Sequence, residues 1–552
     1  MRILLVMPTP FENGRLGLEN VVWLSEPVAL TSIAAAVSDQ HEVRVLDMRL
    51  EQEDALAREL ASFQPHVVGT TSMTTDVYQA LAVLRMARQI VPQALTVVGG
   101  HAATLQPSVF DEPWVDVVVQ GEGEQTFQEL VAAWDAQRES AERRFPSIPG
   151  LRYRAADARL VSNPKRQQTK NLDDLPPPDR RLLARYKGRY FFTVARNMAS
   201  IFTSRGCSFD CNFCAIWEFY ERRTRYLSAE KIVDQMLACD EPFIFLLDDN
   251  FLTSKKRILA LCDELERRQV KKFWMTQGRT DFVAENPEIM ARLARNGLVG
   301  LLSGFESNDD DSLAALRKKN TWDKNIRANQ ILRDLGIFAT GIFMVRADWE
   351  KHQFQALYDY INTLEIGIPL VTILTPLPGT QLYRAYQNQL MTTDLRLFDL
   401  LHAVLPTRLS RPEFYAEFAR SIVATKPSAH RAIMNTLKNR PDFARAAAKN
   451  FAWFFARTWR YQAIHSDPES FLRDEQGLLN GPGARAGLTH ADVVYPDGQE
   501  HAPAAPASGG TPPAPDGAPP RGQLVRLRIP HRIWADDLPG AEPSERSAMG
   551  AE

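Results

Sequence analysis

Three of the five cysteines in this 552-residue chain stand close together, as Cys207, Cys211 and Cys214. Their C-x3-C-x2-C spacing brings three thiolates to one short stretch, and thiolates favour zinc and iron–sulfur clusters over hard cations. A structural zinc site is closed by four ligands. Three ligands leave one metal position open, which suits a 4Fe-4S cluster that binds a small molecule at its remaining iron. Zinc and chance clustering are the alternatives.

The composition limits where this chemistry takes place. Cys239 and Cys262 fall in predicted helices, where a lone cysteine usually serves as a small hydrophobic residue; an auxiliary cluster is the alternative. So few cysteines cannot form a disulfide framework, which predicts a cytoplasmic protein. A net charge of -2 gives no reason to expect nucleic acid as a partner. Because no apolar run is long enough to span a bilayer, we expect the chain to be soluble or to lie on a membrane surface.

The cysteines follow the first of six predicted strands in residues 199–385. Helical stretches separate the strands, and Ser228 and Ser254 are suited to cap two of these helices. Repeated βα units predict a partial (β/α)6 parallel barrel, whose chemistry lies at the carboxyl ends of its strands. The cysteine stretch is therefore expected at the barrel mouth. The six strand candidates are ASIFTSRG, PFIFLLDDN, KFWMTQGR, LVGLLSGFES, FATGIFMV and LVTILTPLPG.

Residues 1–140 show a similar alternation of short apolar runs and helical stretches, which predicts an α/β domain with a doubly wound parallel sheet. Ligands of such sheets bind beyond the carboxyl ends of the strands. Small residues fall there, at 72–75, 99–101 and 121–123, and they either admit a bulky ligand or serve only as turns. No G-x-G-x-x-G opens the first helix, so a nicotinamide dinucleotide is not expected.

The remaining segments are predicted to support these two units. Residues 141–198 are expected to form a connector with a hairpin, and residues 386–480 a helical C-terminal region. Residues 481–552 include a long Pro, Gly and Ala-rich stretch that cannot bury a core, so this tail is expected to be largely disordered.

The cysteine spacing and the barrel together resemble the radical S-adenosylmethionine superfamily, in which an aromatic residue, here Phe213, precedes the last cysteine. The resemblance implies that the three cysteines bind a 4Fe-4S cluster and that S-adenosylmethionine binds at the strand ends. A carboxylate suits the methionyl ammonium of that ligand. Each acidic residue alone has helix capping as its alternative. The positions implied to contact S-adenosylmethionine are Phe213, Asp248, Asp249, Gln277, Arg279, Glu306, Ser307 and Ile342.

The first domain resembles the cobalamin-binding domain of cobalamin-dependent radical S-adenosylmethionine enzymes, on the stretches VVGGHAAT and VVVQGEGEQTF. The D-x-H-x-x-G motif that supplies an axial histidine to cobalt elsewhere is missing, because Arg44 stands three residues after His41. No axial ligand is therefore expected from His41. The residues implied to lie near cobalamin are Ser72, Thr74, Gly99, Gly100, His101, Gly121 and Glu122.

Within that group, CNFCAIWEFYERRTR is most similar to hopanoid C-3 methylases, while residues 398–418 share a pattern with anaerobic magnesium-protoporphyrin monomethyl ester cyclases. The resemblance implies a methyltransferase that acts on an unactivated carbon of an apolar polycyclic lipid. A 5'-deoxyadenosyl radical would abstract hydrogen and methylcobalamin would donate the methyl group, with a flavodoxin or ferredoxin as electron donor. No side chain is assigned as a general acid or base. A cyclase-like or other radical enzyme, and a non-catalytic cobalamin or iron–sulfur sensor, are the alternatives.

Two aromatic stretches bear on the substrate. Trp217, Phe219 and Tyr220 follow the cysteines and would wall a dry pocket for a lipophilic molecule, or else pack between the barrel and the first domain. A second stretch, residues 449–462, predicts a helix for which a core position is the commoner explanation and a position on a membrane surface, where it would collect a lipid, is the alternative. Its aromatic residues are predicted to share one face beside two arginines, and the set is Phe451, Phe454, Phe455, Trp459, Arg457 and Arg460.

Overall fold

The computed structural model describes residues 1–9, 23–137, 145, 147–155 and 157–479. The tail predicted for residues 481–552 lies outside the described residues. Strands and helices are numbered in chain order over the described part. Within that part, no helix is both long and apolar enough to cross a membrane.

The first strands build a seven-stranded sheet. They are β1 (Arg2–Met7), β3 (Glu42–Asp47), β4 (Val67–Thr71), β5 (Leu95–Gly99), β6 (Val117–Val119), β7 (Leu151–Arg154) and β8 (Leu160–Ser162). The short strand β2 (Trp23–Leu24) belongs to a separate small sheet. The sheet order is β3-β1-β4-β5-β6-β7-β8, and its first five strands are parallel. The predicted hairpin, β7 and β8, pairs antiparallel with β6 and so extends this sheet.

Helices cover both faces of this sheet. They are α1 (Val28–Ala35), α2 (Ala55–Phe63), α3 (Val77–Ile90), α4 (His101–Leu105) and α5 (Glu124–Gln137). Alternate residues of β1 explain the arrangement, because Leu4 and Val6 pack in the cluster of α2 and α3, whereas Ile3 and Leu5 pack in that of α1 and α5. The doubly wound fold is confirmed. Its strand order reverses between β1 and β4, where a ligand crevice is expected.

A second sheet has six parallel strands in chain order, β11-β14-β15-β16-β17-β18. This confirms the partial (β/α)6 barrel, with β11 and β18 at its edges. Two further small sheets, β10-β9-β2 and β12-β13, flank it. The strands are β9 (Phe191–Phe192), β10 (Ala195–Arg196), β11 (Met198–Ile201), β12 (Ser204–Arg205), β13 (Arg225–Tyr226), β14 (Phe243–Leu246), β15 (Phe273–Gln277), β16 (Leu298–Glu306), β17 (Phe338–Val345) and β18 (Ile368–Ile373).

The helices that pack around the barrel start from recognisable signals. The Ser228 and Ser254 hydroxyls accept the predicted capping bonds from the Lys231 and Arg257 amides. The helices are α6 (Ile216–Phe219), α7 (Ala229–Ala238), α8 (Lys255–Arg267), α9 (Thr280–Glu285), α10 (Pro287–Arg295), α11 (Asp310–Ala315), α12 (Trp322–Asp334), α13 (Lys351–Leu364) and α14 (Gln381–Tyr386).

Five C-terminal helices follow, and two of them close the amino end of the barrel. They are α15 (Arg411–Ala424), α16 (Lys426–Asn439), α17 (Pro441–Ala447), α18 (Phe451–His465) and α19 (Pro468–Leu479). Phe443 of α17 and Phe454 of α18 pack in one cluster with Phe243, Phe245 and Met275. Since Ile244 and Leu246 pack instead with the surrounding helices, this cluster lies on the inner side of the strands.

The aromatic face predicted for α18 is divided in the structure. Phe454 is 3% exposed, whereas Phe455 and Trp459 are 52% and 59% exposed. Consecutive helical residues point roughly 100° apart, so 454 and 455 can face different surroundings. The helix therefore serves the core on one side and presents two aromatic rings to solvent on the other.

Candidate functional site

The three cysteines lie on the loop between β12 and α6, beyond the carboxyl end of β11. Gly206 comes directly before Cys207 with a φ of +89°, and a Cβ there would stand 2.1 Å from the Arg223 carbonyl oxygen. The loop therefore requires glycine at this position. The Trp217 indole donates to the Cys211 carbonyl over 2.9 Å, and the Cys214 amide donates to the same oxygen over 3.2 Å. These bonds fix the turn between the second and third cysteines.

The three thiols are partly or fully buried, and Cys207 and Cys211 lie near enough to Cys214 to affect its charge. Burial raises the pKa of the Cys214 thiol to about 12, and the neighbouring Cys211 and Cys207 thiols act in the same direction. Burial likewise raises the pKa of Cys207 and of Cys211, while Arg279 lowers both. Iron binding would have to displace protons from these thiols.

Asp248, predicted to meet the methionyl ammonium, is fully buried and holds the start of the cysteine loop. Its carboxylate accepts bonds from the Thr203 amide at 2.6 Å, the Ser204 amide at 2.9 Å and the Ser204 hydroxyl at 2.7 Å. Arg257 lies 3.3 Å from the same carboxylate. Groups of the protein itself therefore take up the hydrogen-bonding capacity of the Asp248 carboxylate.

Asp249 and Asn250, the next two residues, have far fewer protein partners. The Asp249 carboxylate accepts one bond, from the Gly206 amide at 3.0 Å, and forms no ion pair with the described residues. Burial raises the pKa of Asp249 to about 6. The buried Asn250 amide has neither its oxygen nor its nitrogen paired among the described residues. Buried polar groups without partners indicate a ligand position.

The remaining predicted S-adenosylmethionine contacts lie at the carboxyl ends of β15 to β17. Arg279 stacks 3.7 Å from the centre of the Phe209 ring and bonds to Asp281. Glu306 forms a buried 2.6 Å ion pair with Lys318. The Ser307 hydroxyl donates to Asp309 over 2.9 Å. The Gln277 carbonyl accepts a hydrogen bond from the Phe251 amide. Ile342 packs near Leu302 and Leu370. Phe213, in the cysteine loop, packs against a cluster that includes Ala102 and Leu382.

The predicted cobalamin loops of the first sheet are bonded to one another. The Ser72 amide donates to the Gly99 carbonyl over 3.0 Å, and the Gly121 amide donates to the Thr104 hydroxyl over 2.9 Å. Gly100 opens α4, and Thr74 is buried in a short turn after β4. A Cβ on Gly121 would meet no atom within 4 Å, so its loop faces open space.

His101 and Glu122 join these loops to the cysteine-bearing part of the barrel. The His101 ring stacks on Phe219, with ring centres 5.6 Å apart. Burial lowers the pKa of His101 to about 4, and its Nε2 has no partner among the described residues. Glu122 accepts bonds from Arg225 at 2.8 and 2.9 Å and from Arg205 at 3.1 Å. Arg205 lies two residues before the first cysteine.

The aromatic run after the cysteines takes part in these contacts. Trp217 is buried beneath the cysteine loop, and Phe219 lies between His101 and Tyr220. Burial raises the pKa of the Tyr220 hydroxyl far above its ordinary range. These contacts match the alternative in which the run packs between the barrel and the first domain.

Three charged residues of this region escaped the sequence analysis. Arg205 and Arg225 bind Glu122, and Lys318 binds Glu306. Arg225 stands in the basic stretch ERRTR after the aromatic run. This basic stretch was the one sequence signal that could have indicated an ion pair at Arg225. Nothing near Lys318 in the sequence marks it as the ion-pair partner of Glu306, because Glu306 ends β16 and a helix separates the two residues.

The arrangement fits the groups that the sequence implies. No three His, Cys, Asp or Glu side chains within the described ranges converge tightly enough to hold a single metal ion. A cluster distributes its thiolates over separate irons and so needs a wider spacing than a single zinc ion. The amide of Asn250 and the Nε2 of His101 are two buried polar groups without a hydrogen-bond partner among the described residues. The first lies at the barrel mouth, and the second lies beside the loops of the first sheet.

Comparison with known proteins agrees with this division. Residues 14–131 match the family described as B12 binding domain, and residues 201–361 match the Radical SAM superfamily. These two domains imply cobalamin, S-adenosylmethionine and a 4Fe-4S cluster as cofactors.

Similar proteins extend the match beyond the two domains. A hopanoid C-3 methylase of Methylococcus capsulatus is 29% identical over 87% of this chain and 91% of its own length. An anaerobic magnesium-protoporphyrin IX monomethyl ester cyclase of Rubrivivax gelatinosus is 27% identical over 65% of this chain and 66% of its own length. The cobalamin-dependent S-adenosylmethionine radical enzyme OxsB, solved with aqua-cobalamin and S-adenosylmethionine bound, shares the fold at a TM-score of 0.59 and 16% identity, over 86% of this chain and 80% of that one.

Proposed function

We propose that this chain, a cobalamin-dependent radical S-adenosylmethionine enzyme, is a methyltransferase that methylates an unactivated carbon of an apolar polycyclic lipid. Hopanoid C-3 methylation is the favoured reaction. The observation that carries the proposal is the direct contact between the two cofactor regions. His101 of the first domain stacks on Phe219, which follows the cysteines, and Glu122 binds Arg205, which precedes them. A methyl donor and a radical generator must face the same carbon, and these contacts bring their loops together.

The roles of the chain's own residues follow from their surroundings. Cys207, Cys211 and Cys214 would hold the cluster, and Asp249 with Asn250 would bind the methionyl ammonium, since Asp248 is occupied by the protein. The loops that contain Ser72, Gly99, Gly100 and Gly121 would bind cobalamin. When bound, the cluster and S-adenosylmethionine supply a radical that takes hydrogen from carbon, and cobalamin supplies the methyl group. A flavodoxin or ferredoxin would deliver the electron.

An apolar substrate is supported by the walls around the barrel mouth. A cleft of about 630 Å³ opens beside Asn212 of the cysteine loop, and Leu316, Leu374, Leu382 and Leu405 line much of it. Leu302 and Leu370 add a second apolar group on the barrel strands, with Ile342 packed beside them. Arg346 and Asp348 also line the cleft, but they pair with each other at 2.9 Å. The apolar side chains that remain favour a lipid over a charged substrate.

The domain limits are part of the proposal. The cobalamin domain would comprise residues 1–140, the connector 141–198, the barrel 199–385 and the helical region 386–480. A cyclase-like reaction on a porphyrin ester is the second candidate function, favoured by the similarity to the Rubrivivax gelatinosus cyclase. In a cyclase the substrate would gain a ring and no methyl group.

The test is an anaerobic reaction of the full chain, reconstituted with iron, sulfide and hydroxocobalamin. It contains S-adenosylmethionine, a low-potential reductant and hopanoids dispersed in detergent. We expect 5'-deoxyadenosine, S-adenosylhomocysteine and a lipid one methyl group heavier by mass spectrometry. Formation of 5'-deoxyadenosine without a heavier lipid would reject the hopanoid substrate. Absence of 5'-deoxyadenosine, with both cofactors bound, would reject the enzymatic function.

A further inference from the structure

Helices α16 to α18 differ sharply in charge from the rest of the chain. Residues 426–465 contain eight Lys and Arg residues and a single acidic residue, Asp442, although the net charge of the whole chain is -2. Lys438, Arg445 and Lys449 are exposed, and none of them forms an ion pair within the part of the chain that the structure describes. This basic surface, residues 426–465, therefore has charge available for an anionic partner.

Two large aromatic side chains project from the basic surface. Phe455 and Trp459 are one turn apart on α18 and rank among the most exposed large hydrophobic residues described. The Phe455 ring lies 6.4 Å from that of Phe451 and 6.0 Å from that of Phe454. Exposed aromatic rings beside basic residues are typical of a helix that lies in a membrane interface.

An apolar cleft of about 430 Å³ opens next to these rings. Its inner wall comes from the barrel strands, with Met275 and Val299, and its outer wall from the basic surface, with Phe451 and Phe454. The rings of Phe451 and Phe454 that line the cleft are also the rings nearest to Phe455. Apolar surface thus continues from the exposed rings into the amino end of the barrel.

We propose that the basic surface docks on a bilayer of anionic phospholipid. Phe455 and Trp459 would enter the acyl boundary, while Lys438, Arg445 and Lys449 would contact headgroup phosphates. The cysteine loop lies at the opposite, carboxyl end of the barrel strands, so docking would leave the mouth uncovered. The inference rests on the proposed function only in naming the membrane as the source of the lipid substrate.

The test is co-sedimentation of the full chain with sucrose-loaded vesicles, without S-adenosylmethionine. One set contains phosphatidylcholine alone and the other an equimolar mixture with phosphatidylglycerol. We expect binding to the mixed vesicles that weakens as salt is added. Phe455→Ser with Trp459→Ser should weaken it on the order of tenfold. Lys438→Glu with Arg445→Glu and Lys449→Glu should weaken it roughly a hundredfold.

Matched controls use exposed residues outside the basic surface. Trp322→Ser replaces another exposed tryptophan, and Lys255→Glu with Lys256→Glu and Lys271→Glu reverses three other exposed lysines. Both controls should bind vesicles like the parent chain. Equal loss in the controls, equal binding to both vesicle types, or no binding at all would overturn the proposal. Vesicle binding without lipid methylation would leave docking intact and count against the methyltransferase function alone.

Discussion

At the scale of single residues, burial determines which groups can act. The Cys214 thiol has a pKa of about 12 and is protonated at neutral pH without metal. Thr203 and Ser204 donate to the Asp248 carboxylate, whereas the Asp249 carboxylate accepts a single bond among the described residues, from the Gly206 amide. Neighbouring residues of the same type therefore have different tasks, one in holding the loop and one at the ligand position.

Replacement of a single cluster cysteine tests the metal assignment. Cys207→Ala, Cys211→Ala or Cys214→Ala should each abolish the brown iron–sulfur absorbance and reduce 5'-deoxyadenosine formation by more than about a thousandfold, because the radical chemistry requires the cluster. Anaerobic absorption spectra and product analysis measure both effects.

The buried Cys239 and Cys262 provide the controls. Cys239→Ala and Cys262→Ala should keep the cluster and lose only roughly 1 kcal/mol of stability, as expected for small core substitutions. Loss of the cluster in either control would show that the cluster has a ligand outside the C-x3-C-x2-C stretch.

His101 gives the apoprotein a pH-dependent stability. Burial lowers its folded pKa to about 4, whereas the unfolded pKa is about 6.5. Between these values the unfolded chain binds a proton that the folded chain does not, so stability should fall as the pH drops from about 6.5 to about 4. Partial exposure of the ring limits the loss to roughly 2 kcal/mol.

Urea unfolding of the parent chain and of His101→Phe at several pH values measures this loss. The Phe variant keeps a ring on Phe219 and removes the titration, so its curve should be flatter in that window. Parallel pH profiles for the two proteins would contradict the assignment.

At the scale of elements, short loops and buried ion pairs join the two sheets. Glu122 and Glu124 stand between β6 and the first turn of α5, and Arg205 ends β12 directly before the cysteine loop. Burial alone would raise the pKa of Glu122, but Arg225 and Arg205 hold this pKa below its ordinary value. The loop beyond β6 and the cysteine loop are therefore held as one unit.

Glu122→Gln should lower the free energy of unfolding by about 3 kcal/mol, because it leaves two buried arginines without their shared carboxylate. Glu129→Gln is the control, since the side chain of Glu129 is 35% exposed where it pairs with Arg166. That control should lose less than about 1 kcal/mol. Urea titrations of the apoproteins give both values, and equal losses would show that the Glu122 contacts add no special stability.

The loop at Gly121 offers a test of the cobalamin position. Gly121→Ala should weaken hydroxocobalamin binding by roughly tenfold or more, because its methyl group enters the open space where the ligand would lie. Gly188 is a matched control, as it has a φ of +80°, close to the +81° of Gly121, and its nearest neighbour to a Cβ is 3.7 Å away.

Both alanine variants should lose roughly 1 kcal/mol of stability from the left-handed backbone. Binding is followed by equilibrium dialysis with hydroxocobalamin. Unchanged binding in Gly121→Ala, or the same weakening in Gly188→Ala, would remove this loop from the cobalamin site.

At the scale of the whole molecule, two buried carboxylates help to link the first sheet and the barrel. One is the Glu122 group, and the other is Glu26, which accepts a 2.6 Å bond from the Ser200 amide of β11 and pairs with Arg180. Both links are buried, so each would cost several kcal/mol to break. The two halves are therefore expected to unfold together.

Scanning calorimetry of the apoprotein should show one transition for both halves. Hydroxocobalamin should raise the temperature of that whole transition, because a ligand that binds only the folded state stabilises the entire cooperative unit. Two transitions, of which cobalamin shifts just one, would show that the halves are independent.

Much of this organisation was available from the sequence alone. The spacing of Cys207, Cys211 and Cys214 and the alternation of apolar runs with helical stretches in residues 1–140 and 199–385 are local signals. The alternation predicted both sheets, because a residue's period along the chain records which side of a strand or helix is buried. The identity of the cofactors was implied by the resemblance of the motifs to known families. The predicted strand positions also placed Gly99, Gly100 and Gly121 at the ends of strands.

The tertiary structure alone decided which residues meet. Arg225 binds Glu122 across 103 residues, Asp248 is taken by Thr203 and Ser204, and α18 divides its aromatic rings between core and solvent. No local period contains such information, because a charge's partner and a ring's surroundings depend on how distant segments approach after the sheets have formed. Local physics therefore determined the elements, and long-range packing determined the site.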